Sequence, residues 1–154
     1  MMKTDRTRLR KKTSTSDGAP AEYYVLGGEH LGASIARRLR EAGHSVSLVD
    51  ETQDSTETPG LRGNPSDVQV LTDAGVSENA TVVAATSRDR RNLLIAQLAR
   101  VHFDVAETFV LVNTPERYDL VAEVGHEPIC VTSVLSDAVV DDLRSRRLEP
   151  GERA

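Results

Sequence analysis

Short apolar runs recur along the chain, and apolar residues repeat at helical spacing in the longer segments between them. A run of about four to eight apolar residues, bounded by glycine or polar residues, is typical of a strand that is buried on both faces. We therefore predict six strands, of which the third and the last are brief: residues 23–26, 46–49, 60–62, 80–86, 108–112 and 129–131.

The intervening helices are predicted from the spacing of apolar residues and from capping residues. In the first, Leu31, Ile35 and Leu39 share one face, and a glycine at position 43 follows as a C-terminal cap. The second begins at Pro65 with Asn64 as its N-cap. Three more helices follow: one that ends near residue 102 with Leu94, Leu98 and Val101 on one face, one over residues 114–125, and one over residues 134–147.

Strands that alternate with helices indicate a parallel sheet covered on both faces. The predicted fold class is therefore α/β, a Rossmann-like doubly wound parallel sheet that forms a single domain over residues 22–147. Residues 1–21 are basic and then rich in Ser and Thr, so we predict a disordered, solvated tail and no nucleic acid as partner. Contact of the basic run with nucleic acid or an anionic membrane surface is the alternative. Residues 148–154 are predicted to be a second disordered tail.

The charge is divided unevenly along the chain. The net charge is −5, but residues 1–12 carry +5 and the rest carry −10. All the lysines lie in that first segment, at positions 3, 11 and 12, which excludes a P-loop and Schiff-base catalysis from the body of the chain. An acidic body without lysine resembles the proteins of salt-loving archaea. An Arg-biased genome is the alternative explanation.

Other features exclude further classes of protein. No apolar run approaches the ~20 residues of a membrane span, and the polar N-terminus lacks the apolar stretch of a secretory signal. Cys130 is the single cysteine, which excludes an internal disulfide. The four histidines are far apart, so no metal site is predicted, and His44 and His126 are expected to be exposed after capping glycines. We expect a cytoplasmic protein with no catalytic residues.

The segment between the first strand and the first helix resembles a dinucleotide-binding turn. Gly27 and Gly32 match the first and third glycines of G-x-G-x-x-G, while Glu29 replaces the second. Asp50 ends the next strand 18 residues after Gly32, where a carboxylate accepts ribose hydroxyls. The helix N-terminus would hold phosphate, and Asp50 favours NAD or an adenosine nucleotide over NADP. The alternative is that the glycines serve only the turn and its packing.

Five ordered blocks, spanning residues 22–147, extend this motif. Together they resemble the TrkA-N domain, also called RCK (regulator of K⁺ conductance). Three departures stand out: Glu29 in the turn, the short acidic segment 51–59, and the absence of the C-terminal ligand-sensing domain found in many members, so a stand-alone haloarchaeal-type member is expected. The blocks are the turn with Asp50, Gly63-Asn64-Pro65-Ser66-Asp67, Leu71-Thr72-Asp73-Ala74-Gly75-Val76, Val83-Ala84-Ala85-Thr86 with Asn92-Leu93, and Val112-Asn113-Thr114-Pro115-Glu116.

The resemblance implies a regulatory ligand, NAD(H) or ATP/ADP, and a membrane partner. It implies a cytoplasmic domain that controls a separate potassium channel or transporter, peripheral to the membrane where it binds that partner. It also implies a homodimer built around the final helix. The implied ligand-binding residues are Gly27, Gly28, Glu29, His30, Leu31 and Gly32 for phosphate, Asp50 for ribose, Gly63 and Asn64 beside adenine, Ala85 and Thr86 along the cleft, and Asn92 and Asn113 near the far end of the ligand. Glu51, next to Asp50, is also included as a ligand-binding residue.

Two other functions remain open from the sequence. A small NAD(P)-dependent reductase would need a second element to bind its substrate, because a Rossmann half holds only the cofactor. A degenerate Rossmann module would bind only another protein. Cofactor turnover separates the first of these from a regulatory domain, and nucleotide binding separates the second.

Overall fold

A computed structural model describes residues 20–53 and 58–147. Six parallel strands form one sheet in the order β3-β2-β1-β4-β5-β6, which confirms the predicted Rossmann-like fold. The strands are Tyr23–Leu26 (β1), Val46–Asp50 (β2), Gly60–Arg62 (β3), Thr81–Ala84 (β4), Glu107–Val112 (β5) and Glu127–Cys130 (β6). The helices are Glu29–Glu41 (α1), Val68–Ala74 (α2), Asp89–Phe103 (α3), Tyr118–Glu123 (α4) and Val131–Arg147 (α5), with a 3₁₀ turn at Pro115–Arg117.

The core lies on both faces of the sheet, as continuous apolar strands require. On one face Leu71 of α2 and Ile95 of α3 pack against β1 and β4, and neither side chain is exposed. On the other face Ala36 of α1 packs against Val25 and Leu48. The two central strands, β1 and β4, pair through Leu26 and Ala84 in this doubly covered region. The predicted tails lie outside the described residues except for residues 20 and 21.

The buried faces of α1 and α3 match the predicted ones only in part: Ile35, Leu39 and Leu98 pack against the core as predicted, but other positions differ. Leu31 is 48% exposed and Val101 is 71% exposed, whereas Gly32 and Ala36 of α1 are buried. Small residues let a helix lie close to the sheet, and a Cβ on Gly32 would come within 2.1 Å of the Gly27 carbonyl oxygen. The predicted Leu94 position is likewise exposed, and the buried face of α3 is formed by Asp89, Asn92, Ile95, Ala96 and Ala99.

Two helix starts also differ from the prediction. Helix α2 begins at Val68, where Asp67 is the N-cap and its Oδ1 accepts a hydrogen bond from the Gln69 N–H at 2.9 Å. Asn64 instead closes a turn, because its Oδ1 accepts the Ser66 N–H at 2.8 Å. Helix α5 begins at Val131, directly after β6, and not at residue 134. Short polar side chains accept hydrogen bonds from nearby backbone N–H groups at turns as well as at helix caps. The sequence alone therefore does not distinguish Asn64 from Asp67 as the N-cap of α2.

His126 is buried, which corrects the expectation that it would be exposed. Only 3% of it is accessible, and its Nε2–H donates to Gln97 Oε1 at 2.7 Å. Its Nδ1 accepts the Thr108 hydroxyl, whose oxygen accepts in turn from Arg100 Nη2 at 3.2 Å. Burial, and then the charge of Arg100, lowers the pKa of His126 below its ordinary value.

Helix α5 carries apolar side chains that the domain itself does not cover. None of its residues is buried, and five large apolar residues are 44–59% exposed: Val134, Leu135, Val139, Val140 and Leu143. We call these five residues the α5 stripe. None of the helices in the described part of the chain is long and apolar enough to span a bilayer.

Candidate functional site

The candidate site is the crevice at the carboxyl edge of the sheet, between the ends of β1 and β4. From these two adjacent strands the chain winds outward in opposite directions, and such a switch point is where open α/β sheets bind ligands. The turn after β1 faces the segment that follows β4. A Cβ on Gly27 would lie 2.4 Å from Thr86 Cγ2, and one on Gly28 would lie 2.7 Å from the Ala85 carbonyl oxygen. Both glycines also have positive φ, so larger side chains are excluded at these two positions.

Glu29 takes the place of the motif's middle glycine and lies in a left-handed conformation, with φ of 48°. Such a conformation is unfavourable for a residue with a Cβ by roughly 1–2 kcal/mol. Its side chain is exposed, and its backbone N–H donates to Asp50 Oδ2 at 2.7 Å. The strained residue is thus held in place by the carboxylate that ends β2.

Asp50 is 4% exposed and holds two segments together. Its Oδ1 accepts both the N–H and the hydroxyl of Thr52 at 2.9 Å, while its Oδ2 accepts only the Glu29 N–H. A carboxylate offers about four acceptor positions, so one remains on Oδ2. Asp50 therefore organises the turn and keeps one acceptor position for a hydroxyl group.

The start of α1 offers backbone donors beside this carboxylate. The N–H groups of Leu31 and Gly32 both point to the Gly28 carbonyl, at 2.9 and 3.2 Å. Those of Gly28 and His30 have no acceptor among the described residues. Free N–H groups at the start of a 13-residue helix favour an anion, because the helix dipole adds to their partial positive charge.

Asn92 ties the ends of β4 and β5 together. Its Oδ1 accepts the N–H of Thr86 at 2.9 Å and the hydroxyl of Thr86 at 2.6 Å. Its Nδ2 donates to the carbonyl oxygens of Thr86 and Leu111, each at 2.9 Å. The side chain is fully buried, and these four bonds use its whole hydrogen-bonding capacity. In this structure Asn92 lies behind the crevice and does not line it.

Asp89, which the sequence analysis missed, organises the loop after β5. Its carboxylate accepts the N–H and the side-chain amide of Asn113, at 2.6 and 3.0 Å, and the N–H of Thr114 at 2.9 Å. Burial alone would raise the pKa of Asp89, but these hydrogen bonds outweigh burial and lower it. An acidic residue in the first turn of a helix, just after a strand, is the pattern that points to it.

Arg91, also missed, connects the two halves of the sheet. Its Nη2 donates to Asn64 Oδ1 at 2.7 Å and to Glu51 Oε2 at 3.1 Å, and its Nε donates to Ser66 Oγ at 3.1 Å. Gly63 lies beside this group, and its N–H donates to the Asp50 carbonyl at 3.1 Å. Glu51 and Asn64 are therefore brought together on the β2–β3 side of the crevice by a residue of α3.

The structure thus separates the predicted site residues into three groups. The first group meets at the crevice and includes the start of α1: Gly27, Gly28, Glu29, His30, Leu31, Gly32, Asp50, Ala85 and Thr86. A second group lies on its β2–β3 side, and a third is held within the protein by Asp89 and by the ends of β4 and β5. The second group is Glu51, Gly63 and Asn64, and the third is Asn92 and Asn113.

Comparison with known proteins places this architecture in a family. The model of the TrkA-N domain matches residues 23–136. The Trk system potassium uptake protein TrkA of Streptomyces coelicolor is 24% identical over 133 residues, which cover 82% of this chain and 60% of that protein. The chain thus spans about three-fifths of the length of this curated relative.

Solved structures agree with the assignment of the fold. The NAD(P)-binding domain of an exopolyphosphatase-related protein from Archaeoglobus fulgidus superposes with a TM-score of 0.70 at 26% identity, covering 81% of this chain and 98% of that one. A structure of GsuK bound to ADP superposes with a TM-score of 0.63 at 18% identity, covering 76% of this chain and 33% of that one. Since the family model matches well over half of its residues, this chain belongs to the TrkA-N domain family.

Proposed function

We propose that this chain is a regulatory domain that binds NAD(H) or ATP/ADP in the crevice and controls potassium transport through a separate membrane protein. One observation carries the nucleotide part of this proposal. The N–H groups of Gly28 and His30 have no acceptor among the described residues and lie beside Asp50, which keeps one acceptor position. Donors for phosphate and an acceptor for ribose are the two requirements of nucleotide binding at a switch point.

In the proposed complex the phosphate lies over the N–H groups of Gly28 and His30, close to Leu31 and Gly32. A ribose hydroxyl donates to Asp50 Oδ2, and the adenine lies toward Gly63 and Asn64. The carboxylate of Asp50 repels a 2′-phosphate, so NADPH should bind more weakly than NADH. The domain from Archaeoglobus fulgidus, described as NAD(P)-binding, supports a dinucleotide as one ligand class.

We propose binding without turnover, because the β4–β5 side supplies no general acid. Asn92 and Asn113 do not titrate, and the amides of Asn113 and Thr114 donate to the carboxylate of Asp89 and lower its pKa, so Asp89 is held ionised and is not a free acid. A reductase would need such a group near the nicotinamide. The regulatory role also agrees with the potassium uptake protein among the relatives.

Thermal unfolding with and without nucleotide tests the crevice. A ligand at a hundred times its Kd should stabilise the fold by about 2.7 kcal/mol, which raises Tm. Asp50→Ala should lose most of this shift, whereas Asp73→Ala, an exposed carboxylate on α2, should keep it. Equal shifts with NADH and NADPH would contradict the ribose assignment.

The same protein distinguishes the two alternatives. Oxidation of NADH in the presence of simple carbonyl compounds would favour a reductase over a regulatory domain. If no nucleotide shifts Tm and the Asp50 variant behaves like the wild type, a module that binds only protein is favoured. We expect a nucleotide-dependent shift and no oxidation.

We further propose a homodimer formed through the α5 stripe, docked on the cytoplasmic face of a potassium channel or transporter. Contiguous exposed apolar side chains mark interaction surfaces, and two-fold self-association is the commonest way to cover them. Light scattering should give twice the chain mass of 16.8 kDa. Val140→Asp should yield a folded monomer, and Asp137→Ala, on the opposite side of the same helix, should leave the dimer intact. A wild-type monomer at tens of micromolar would contradict this part.

The acidic body leads us to propose that the protein works in concentrated salt, as a haloarchaeal member would. Repulsion among the surplus carboxylates destabilises the compact state at low ionic strength. Raising KCl from millimolar to molar shortens the Debye length to about 3 Å and should raise Tm. A flat or falling response would count against adaptation to salt.

A further inference from the structure

A cluster of buried polar side chains lies at the amino edge of the sheet, opposite the crevice. His126 directly precedes β6 and is 3% exposed, and Thr108, near the start of β5, is 1% exposed. Gln97 and Arg100 reach this pair from α3 through the hydrogen bonds given above. Arg100 Nη2 also donates to the carbonyl oxygen of Gly125 at 2.8 Å. We call these five residues the His126 cluster.

The His126 cluster fastens the turn between α4 and β6 to α3. Gly125 lies directly against the guanidinium group of Arg100, since a Cβ at this glycine would come within 2.5 Å of Arg100 Nη1. The φ of Gly125, 98°, also favours glycine at this position. Two consecutive residues of the turn, Gly125 and His126, are therefore bonded to side chains of α3.

Few other contacts hold the segment that follows this turn. Strand β6 is an edge strand of four residues that pairs only with β5, and its residues are exposed or half-buried. Helix α5 continues from β6 without a loop, and none of its residues is buried. We call residues 127–136 the β6–α5 corner. Segments with few buried contacts open at the lowest free energy, so attachment of this corner depends on the His126 cluster.

The neutral imidazole of His126 satisfies the partners on both of its nitrogens. The Oε1 of Gln97 can only accept, so Nε2 carries the hydrogen and Nδ1 accepts the hydroxyl of Thr108. A proton on Nδ1 turns this acceptor into a donor, and the hydroxyl hydrogen of Thr108 then loses its partner at a buried position. The protonated ring also places a second positive charge beside Arg100. Protonation therefore opposes the closed arrangement through a lost hydrogen bond and through repulsion.

Arg100 is the charged group that acts on the ring, and no carboxylate bonds to the ring in residues 20–53 or 58–147. Burial, and then Arg100, lowers the pKa of His126, so the opened corner takes up a proton more readily than the closed one. The acidic residues that lie nearest along the flanking elements are exposed: Asp104 after α3, Glu107 on β5, Glu123 on α4 and Glu127 on β6.

We propose that the His126 cluster is a proton-operated switch. Near neutral pH it holds the β6–α5 corner against α3, and protonation of His126 in weakly acidic solution releases the corner. The inference goes beyond the proposed function and does not depend on nucleotide binding. It gives α5, the helix that carries the α5 stripe, a control that does not pass through the crevice.

Hydrogen–deuterium exchange of the full chain without nucleotide, at pH 7.5, 6.5 and 5.5, tests this switch. The opened corner binds more protons, so its population should rise by up to about tenfold per pH unit from 6.5 down to the lowered pKa of the closed state. After correction for the intrinsic pH dependence of exchange, β6 amides should exchange about fivefold faster or more at pH 5.5 than at pH 7.5. They should exchange faster than the amides of β1 and β4 at each pH, because release leaves the core folded.

Three variants connect the response to the cluster. His126→Gln keeps a neutral side chain with a donor and an acceptor, so its β6 amides should lose the pH dependence. His102→Gln, an exposed histidine of α3, is the matched control and should respond like the wild type. Arg100→Gln removes the neighbouring charge and should move the midpoint of the response to higher pH, which a merely structural role of Arg100 would not do.

The wild-type chain decides the outcome even where a variant fails to fold. Titration of the His126 ring by NMR should give the same midpoint as β6 exchange, and two separate midpoints would overturn the inference. Exchange of β6 that is independent of pH after correction would also overturn it, as would a folded His126→Gln chain that responds like the wild type. Equal protection of β6, β1 and β4 would show that the corner opens only when the whole domain unfolds, which again overturns the inference. No nucleotide is present in these measurements, so the proposed function stands or fails separately.

Discussion

The two sides of the crevice carry similar polar residues but use them differently. On the β1–β2 side, Asp50 keeps an acceptor position, and the N–H groups of Gly28 and His30 have no acceptor among the described residues. On the β4–β5 side, all four hydrogen-bonding positions of Asn92 are occupied by protein groups. The difference shows that a polar residue at a strand end belongs to a binding site only if the protein leaves its hydrogen-bonding capacity unused.

The largest expected effect comes from replacing Asn92, whose hydrogen bonds are all made within the protein. Asn92→Leu leaves buried groups of Thr86 and Leu111 without partners, and each unsatisfied group costs about 1–3 kcal/mol. The free energy of unfolding, measured in urea, should fall by about 3 kcal/mol or more. Leu94→Ala, exposed on the same helix, should change it by less than about 0.5 kcal/mol. A stable Asn92 variant that loses only nucleotide affinity would mean that Asn92 faces the ligand.

A smaller loss is expected from Asp89→Asn, about 2 kcal/mol, because an amide cannot accept all the N–H groups that the carboxylate accepts. Since hydrogen bonding lowers the pKa of Asp89, its contribution is present above the ordinary value of 3.8 and is lost as pH falls through the lowered folded value. The free energy of unfolding should therefore depend less steeply on pH in the acid range in the variant than in the wild type. An unchanged pH dependence would show that the Asp89 carboxylate does not stabilise the loop after β5.

His126 is a buried polar group remote from the crevice, and it provides a reference for the comparison. The pKa of His126 is lowered by burial and by Arg100, so below its ordinary value of 6.5 the unfolded chain binds more protons than the folded one. The free energy of unfolding should fall as pH drops through this region, and His126→Gln should remove that part of the slope. His102→Gln, an exposed histidine, should keep the slope, and a slope common to both variants would contradict the assignment.

The smallest expected effect comes from replacing Glu29, in the turn after β1. Glu29→Gly relieves the left-handed strain but adds chain entropy, so stability should rise by only about 0.5 kcal/mol. Nucleotide affinity should improve severalfold, because phosphate can approach the backbone more closely. Asp104→Gly, at a φ of 58° after α3, is the matched control and should change stability similarly without changing affinity. Weaker binding by the Glu29 variant would mean that its side chain contacts the ligand.

Strand positions were predictable because each strand is a continuous apolar run. The brief strand at residues 60–62 was placed correctly, as was Asp50 at the end of β2. Helix faces were less predictable. Large residues such as Leu94 were predicted to be buried, but several smaller residues are buried in their place. Close helix packing selects small residues, and this selection depends on the sheet below and not on periodicity alone.

The candidate site was predictable only in part, for a related reason. The turn after β1 was predictable from the local spacing of its glycines, because its conformation requires glycine. Arg91 gains its role from contacts with Glu51 and Asn64, which are distant in sequence. His126 is likewise paired with Gln97 and Thr108 on other elements. Such long-range pairs leave no pattern in a single sequence.

Native mass spectrometry of the ligand-free chain, incubated with an equimolar mixture of AMP, ADP, ATP and NADH, tests the central claim most directly. Because the nucleotides differ in mass, one spectrum identifies both the ligand and its stoichiometry. The account predicts one adenine nucleotide per chain, lost in Asp50→Ala and retained in Asp73→Ala. A spectrum of the bare chain at every nucleotide concentration would contradict it.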